Sequence, residues 1–174
     1  MKKALCIFVI FLVFFLIYFL QSNICSLISL NNIKPNLFLI YVVFLGIAFN
    51  KYIAYSLGII IGLFLDLTIG QYLGMFAISL GIAALISNLL KNKINYINRI
   101  TVSTIIAILT IIYNITIYLL NIIVTDINVE LMQFIKVVFI EILYNSLIII
   151  LIYPILKKKM EKVQEIFEFK NILI

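Results

Sequence analysis

Long apolar runs follow one another down this chain with only short polar breaks between them. The runs cover about 4–20, 35–49, 52–69, 72–90, 100–121 and 131–153. A helix that crosses a bilayer needs about 20 mostly apolar residues. Of the 174 residues, 66% are apolar and 11% charged, against about 25% charged in soluble domains. A soluble domain of this length has no interior large enough to hide so much apolar surface. The alternative is lipid on the outside. The spacing predicts an all-α polytopic integral membrane protein with six transmembrane helices. They form a single transmembrane domain over 1–174 that ends in a basic tail, 154–174.

The net charge is +6, from 13 basic and 7 acidic residues. In a membrane protein such an excess marks cytoplasmic loops and anionic headgroups rather than nucleic acid. With the N-terminus inside, only Lys34 and Lys136 fall outside, and 11 of the 13 basic residues are internal. Both termini are therefore expected in the cytoplasm. Lys2 and Lys3 before an apolar run also resemble a secretion signal. No small-x-small cleavage site follows, so the run is read as an uncleaved first span. Cys6 and Cys25 flank it, are expected at opposite membrane faces and do not pair. Cys25 is expected to be open to labelling from outside.

Gly58, Gly62, Asp66, Gly70 and Gly74 recur at a spacing of four within YSLGIIIGLFLDLTIGQYLGMF. Two glycines four apart bare helix backbone along one face, so another helix can approach closely. Gly74, Ala77, Gly81 and Ala84 continue a small-residue stripe down the fourth run. Spans 3 and 4 are expected to pack along these stripes, joined by a turn at Gly70 and Gln71. A carboxylate inside an apolar run is costly in lipid and marks a functional site by default. Asp66 has two readings: a functional charge, or an anchor accepting backbone N–H groups of the following turn.

Most catalytic constellations are missing. The chain has no histidine, which removes Ser-His and Cys-His nucleophile pairs and histidine metal sites. Two separated cysteines make no zinc motif, and no glycine-rich loop leads into Lys-Ser/Thr. An intramembrane aspartate protease needs two carboxylates in one site. Asp66 and Glu141 are the deep acidic candidates, and their spacing does not bring them together. The chain is read as a non-enzyme without metal or cofactor. Glu141 must face protein or water rather than lipid. Asn114 and Asn145 are deep amides suited to bridging helices. Tyr52, Tyr55, Tyr72, Tyr96, Tyr118 and Tyr153 lie near span ends and read as an aromatic belt. Val163, Ile166 and Phe167 in the tail have the spacing of a short helix on the inner headgroup surface.

Several of these pieces together resemble the rod shape-determining membrane protein MreD family. They are Lys34-Pro35-Asn36-Leu37 opening span 2, Gly58-x-x-x-Gly62-x-x-x-Asp66-Leu67, Gly70-x-x-x-Gly74, and Tyr144-Asn145 with Tyr153-Pro154 before a basic tail. Lys34 stands where the family usually shows arginine. The resemblance implies a non-enzymatic subunit of the bacterial cell-elongation machinery in the cytoplasmic membrane. It also implies partners: the bitopic protein MreC, the actin-like filament MreB and the wall-synthesising enzymes. The small-residue faces of spans 3 and 4 are candidates for the MreC helix, unless internal packing consumes them, with the external surface near Gly70 and Asp126 as their companion. The implied fold is similar to the S-components of energy-coupling-factor vitamin transporters, which supplies the alternative function. Those subunits carry a small-residue stripe on span 1, whereas span 1 here has only Ala4 among bulky residues.

Overall fold

The computed structural model describes residues 2–90, 99–125 and 130–168, with side chains for 7–90, 99–125 and 130–157. The described residues form six α-helices: α1 (Lys2–Leu27), α2 (Leu37–Ala48), α3 (Lys51–Thr68), α4 (Met75–Leu90), α5 (Arg99–Thr125) and α6 (Leu131–Glu168). Four of them, α1, α3, α5 and α6, are long and apolar enough to cross a membrane. The other two are apolar but short, at 12 residues for α2 and 16 for α4. At about 1.5 Å per residue they reach only about 18 and 24 Å, less than the ~30 Å hydrocarbon core. The six expected apolar helices are all present, four of them long and two short.

The shortness of α2 goes with its position. A helix that is apolar all round belongs in an interior. Only Leu37 and Tyr41 of its residues escape full burial. It touches every other helix, with α4 and α3 packed most closely along it. α5 and α6 form an antiparallel pair on the far side of α4 and α2. α1 lies at the edge. Its main buried residue is Phe14, which meets Phe38 of α2 at 6.1 Å and Phe64 of α3 edge-on at 5.1 Å. The rest of α1 turns its phenylalanines and leucines outward, where lipid is the only apolar medium available.

Helix ends differ from the expected spans for local reasons. α2 begins at Leu37, because Asn36 is its N-cap: the Asn36 side chain accepts from the Leu39 N–H at 3.0 Å. Pro35 thus precedes the helix and is fully buried. The connection from α1 turns through Asn31 and Asn32, with φ of 51° and 64°. Leu30 and Ile33 exchange backbone bonds across them, as in a two-residue hairpin turn whose central residues both need positive φ. α6 does not stop at Pro154 but carries it inside the helix and runs on to Glu168. The lysines, glutamates and methionine beyond it are good helix formers, so the expected tail continues the helix as far as Glu168.

Three further expectations change. Tyr153 is buried at 5% exposure, so it is a core residue and not part of a belt, whereas Tyr52, Tyr55 and Tyr72 are exposed. Tyr96 and Asp126 lie outside the described residues. Cys25 is buried, at 3% exposure, which removes it as an external labelling site.

The closest approach in the fold is between α3 and α4. A Cβ at Gly58 would stand 2.9 Å from the Leu80 carbonyl oxygen, and one at Gly62 would meet the Ala77 Cα and lie 2.5 Å from its nitrogen. α2 and α4 touch in the same way at Gly46, where a Cβ would lie 2.7 Å from the Ala84 carbonyl oxygen and collide with Ser87. Each of the three glycines thus faces backbone that does not yield, with the Ser87 side chain added at Gly46, so the glycines set the interhelical distance. Gly62→Leu is expected to lower stability by about 1–3 kcal/mol or abolish folding, as overpacking does. Ile60→Leu, on the exposed face of the same helix, should change little. Thermal unfolding in detergent measures both, and a wild-type transition in Gly62→Leu would refute the close contact.

Candidate functional site

The polar side chains inside the apolar body gather where helices begin and end. Each helix leaves unpaired N–H groups at its start and carbonyls at its finish. Water cannot satisfy them in lipid, where each orphan costs several kcal/mol. α2 and α4 are too short to place both ends at the membrane surfaces. Side chains from other helices meet their ends instead.

At the start of α4, Gly74 occupies the N-cap position with φ +100°, and its carbonyl accepts from Ile78. Glycine supplies the backbone conformation but no capping side chain. Asp66, buried near the end of α3, supplies the cap. Its Oδ2 accepts from the N–H groups of Gly74 at 2.9 Å and Ala77 at 3.2 Å, and its Oδ1 from Phe76 at 2.8 Å. A carboxylate there also suits the positive end of the helix dipole. Gly70 packs over the Asp66 backbone, where a Cβ would stand 2.7 Å from the Asp66 Cα. The run of five residues at a spacing of four is therefore not one helix face. Gly58, Gly62 and Asp66 lie on α3, while Gly70 and Gly74 belong to the connection.

At the start of α2 the work is shared. The backbone N–H of Asn36 donates to Asn145 Oδ1 of α6 at 2.8 Å. Gln21 of α1 accepts from the Leu37 N–H at 3.0 Å and donates to the Pro35 carbonyl at 2.7 Å. At the other end of α2, Asn88 of α4 donates to the carbonyls of Gly46 and Phe49, both at 2.8 Å.

Asn145 leads on into a network between α5 and α6. Its Nδ2 donates to Thr110 Oγ1 at 3.0 Å, and both residues are fully buried. One turn away along α6, Glu141 accepts from Asn114 Nδ2 at 2.8 Å. Glu141 is 6% exposed and turned into the protein, where the Asn114 amide meets its carboxylate. Tyr144, beside Asn145, donates to the Ile28 carbonyl of the α1–α2 connection. Every buried side-chain nitrogen and oxygen among the described residues has a partner. No group of three metal-ligating residues occurs among them.

The structure thus joins Pro35-Asn36 to Tyr144-Asn145, and Asp66 to Gly74. It does not unite the ten candidate residues in one place. Gly58 and Gly62 serve the α3–α4 contact. Pro154 lies within α6, exposed and well beyond the polar network. Sequence reasoning missed Gln21, Asn88, Thr110 and Gly46. The signal for the first two was available: a lone amide at the end of an apolar run, next to a neighbouring helix terminus.

Such an arrangement defines an integral membrane protein of several helices whose buried polar groups hold helix ends and helix pairs in register. The family model for the rod shape-determining protein MreD matches residues 2–163, and the chain belongs to this family, with a role in rod shape determination. No curated protein matches the chain, and no solved structure does.

Two variants test the caps. Asp66→Asn keeps one accepting oxygen but turns an NH2 group towards at least one backbone N–H. It should cost about 1–3 kcal/mol, the price of a buried unsatisfied donor. Asparagine is thus not the neutral substitute that an anchor reading first suggests. Asn145→Ala should cost as much, well above the ~0.6 kcal/mol of an average interhelical bond in lipid, because it strands the Asn36 N–H. Thermal unfolding that leaves either variant within about 0.5 kcal/mol of wild type, the range of neutral surface changes, would remove that residue's capping role.

Proposed function

We propose that the chain is a non-enzymatic scaffold of the cell-elongation complex in the bacterial cytoplasmic membrane. In this reading it binds an MreC-like bitopic protein and links the peptidoglycan synthases to an MreB-like filament. The supporting observation is the use made of its polar side chains. Asp66, Glu141, Asn145 and their neighbours hold backbone groups or one another, so among the described residues no buried side-chain oxygen or nitrogen is left without a partner. A protein built this way acts through its surface. Family membership supplies the process.

The partner's helix was first expected on the small-residue faces of α3 and α4. Those faces meet each other, so they are not available. In our reading the partner lies instead on the apolar residues left exposed on the outer halves of α5 and α6, such as Ile123, Met132 and Phe139. A vitamin-binding role is the weaker reading. Vitamin sites need a few convergent polar groups in a pocket, and the cleft beside α1 has a single polar side chain in its wall, Tyr41, whose hydroxyl is held by the Ile10 carbonyl.

Six crossings with both termini cytoplasmic complete the proposal. Its support is the charge asymmetry. Lys51, Arg99 and Lys157 stand at one end of the helices, while Asp66, Glu130 and Glu141 lie towards the other. In a variant lacking Cys6 and Cys25, a membrane-impermeant thiol reagent should label Asp126→Cys from outside and spare Ile94→Cys; the reverse would invert the topology. Pull-down from the native host should recover an MreC-like protein, and Phe139→Ala, which removes exposed apolar surface without adding a charge, should reduce that recovery while changing thermal stability little. Depletion should turn rods into spheres. Recovery of an ATP-binding-cassette module with a bound vitamin would replace this function with the transporter one.

A further inference from the structure

α1 meets the rest of the protein along one side only. It is pinned by the aromatic contacts of Phe14 and Tyr18 with Phe38 and Phe64. The Gln21 bonds and a bond from Tyr41 Oη to the Ile10 carbonyl at 2.8 Å add to this. On its other side α1 stands off from α2 and α6. The three helices enclose a cleft of about 290 Å³. Its walls include Val9 and Ile17 of α1, Phe44 and Phe49 at the end of α2, and Ile152 and Leu156 of α6. The one polar side chain in the wall, Tyr41, has its hydroxyl engaged by Ile10. Interiors rarely keep voids larger than a water molecule, and water has no partner here. The occupant is apolar.

Two features limit what that occupant is. Between Leu37 and Phe49 the α2 wall runs about 18 Å, close to the ~15 Å depth of one leaflet's hydrocarbon. Cations follow the wall where it ends: Lys51 is two residues beyond Phe49 and Lys157 one beyond Leu156, and both are exposed. Asp66, Glu130 and Glu141 lie towards the other end of the helices, and the residues after Leu156 carry five lysines against three glutamates. An apolar bore of leaflet depth, with two exposed lysines just past the ends of its wall segments, complements a molecule with a long chain and an anionic head. We propose that this cleft is a binding site for an anionic phospholipid. One acyl chain lies between α1, α2 and α6, and the phosphate lies between Lys51 and Lys157. The lipid fills the gap that α1 leaves and completes its attachment.

The chain contains no tryptophan, so one introduced indole reports locally. Ile152→Trp faces the cleft, and Leu151→Trp, at the same depth, faces outward. Each full-length variant is placed in phosphatidylcholine vesicles holding a minor fraction of acyl-brominated phosphatidylglycerol or of brominated phosphatidylcholine. Quenching of Ile152→Trp should favour the phosphatidylglycerol about fivefold or more, the factor one surface lysine contributes. Leu151→Trp should show no preference. Adding Lys51→Gln and Lys157→Gln should abolish the preference at 152. Preference at both positions would reduce the effect to diffuse attraction by a basic surface, and preference at neither would remove the site. Native mass spectrometry of the unsubstituted protein gives an independent reading. One retained phosphatidylglycerol, lost in the double glutamine variant, is the expected result, and a bare protein overturns the proposal.

Discussion

A helix end inside lipid has no water to bond to, and the structure is arranged around that constraint. α2 is the most buried element and also the shortest, and side chains of other helices meet both its ends. Its start is held by Gln21, Asn36 and Asn145, and its finish by Asn88. These side chains come from α1, the α1–α2 connection, α6 and α4. The four segments are thereby fixed around one buried rod. In water, caps of this kind contribute about 1 kcal/mol and solvent replaces a lost one. Here the replacement is missing, so the same bonds carry more weight.

Close packing and capping depend on each other at the α3–α4 junction. Asp66 has a short side chain, and it spans the gap to three N–H groups only because Gly58 and Gly62 bring the helices into backbone contact. Gly74 in turn adopts a backbone conformation that presents its own N–H to the carboxylate. A larger residue at Gly62 would therefore disturb the Asp66 cap as well as the contact itself. The motif is a single joint built from glycine and one carboxylate.

The helices were legible because apolar run length and polar breaks report them directly. α3 and α4 pack along the small-residue stripes that the sequence displays. The interior was harder to read. Periodicity separates apolar from polar faces, but in lipid the outward face is apolar too, so α1 and α2 look alike in sequence and differ completely in burial. The pairing of Asn36 with Asn145 spans 109 residues, and no local pattern encodes it. Asn145 was recognised as a deep amide without a partner being assigned. Gly74 was read as part of a helix stripe, since a capping glycine and a packing glycine share the same spacing. Pro154 was read as a helix stop, whereas strong helix formers beyond it carry the helix on.

The shared closure of α2 bears on how the protein is made. Ribosomes deliver helices in order, and α2 emerges long before the residues that finish it. Its twelve residues are too few to settle across a bilayer alone, and its exposed N–H and carbonyl groups would oppose entry into lipid. Asn88 arrives two helices later and Asn145 with the last. Until then the second helix needs shelter beside the translocation machinery or at the membrane surface. The second helix is thus held by groups that the ribosome supplies only with the fourth helix and the last.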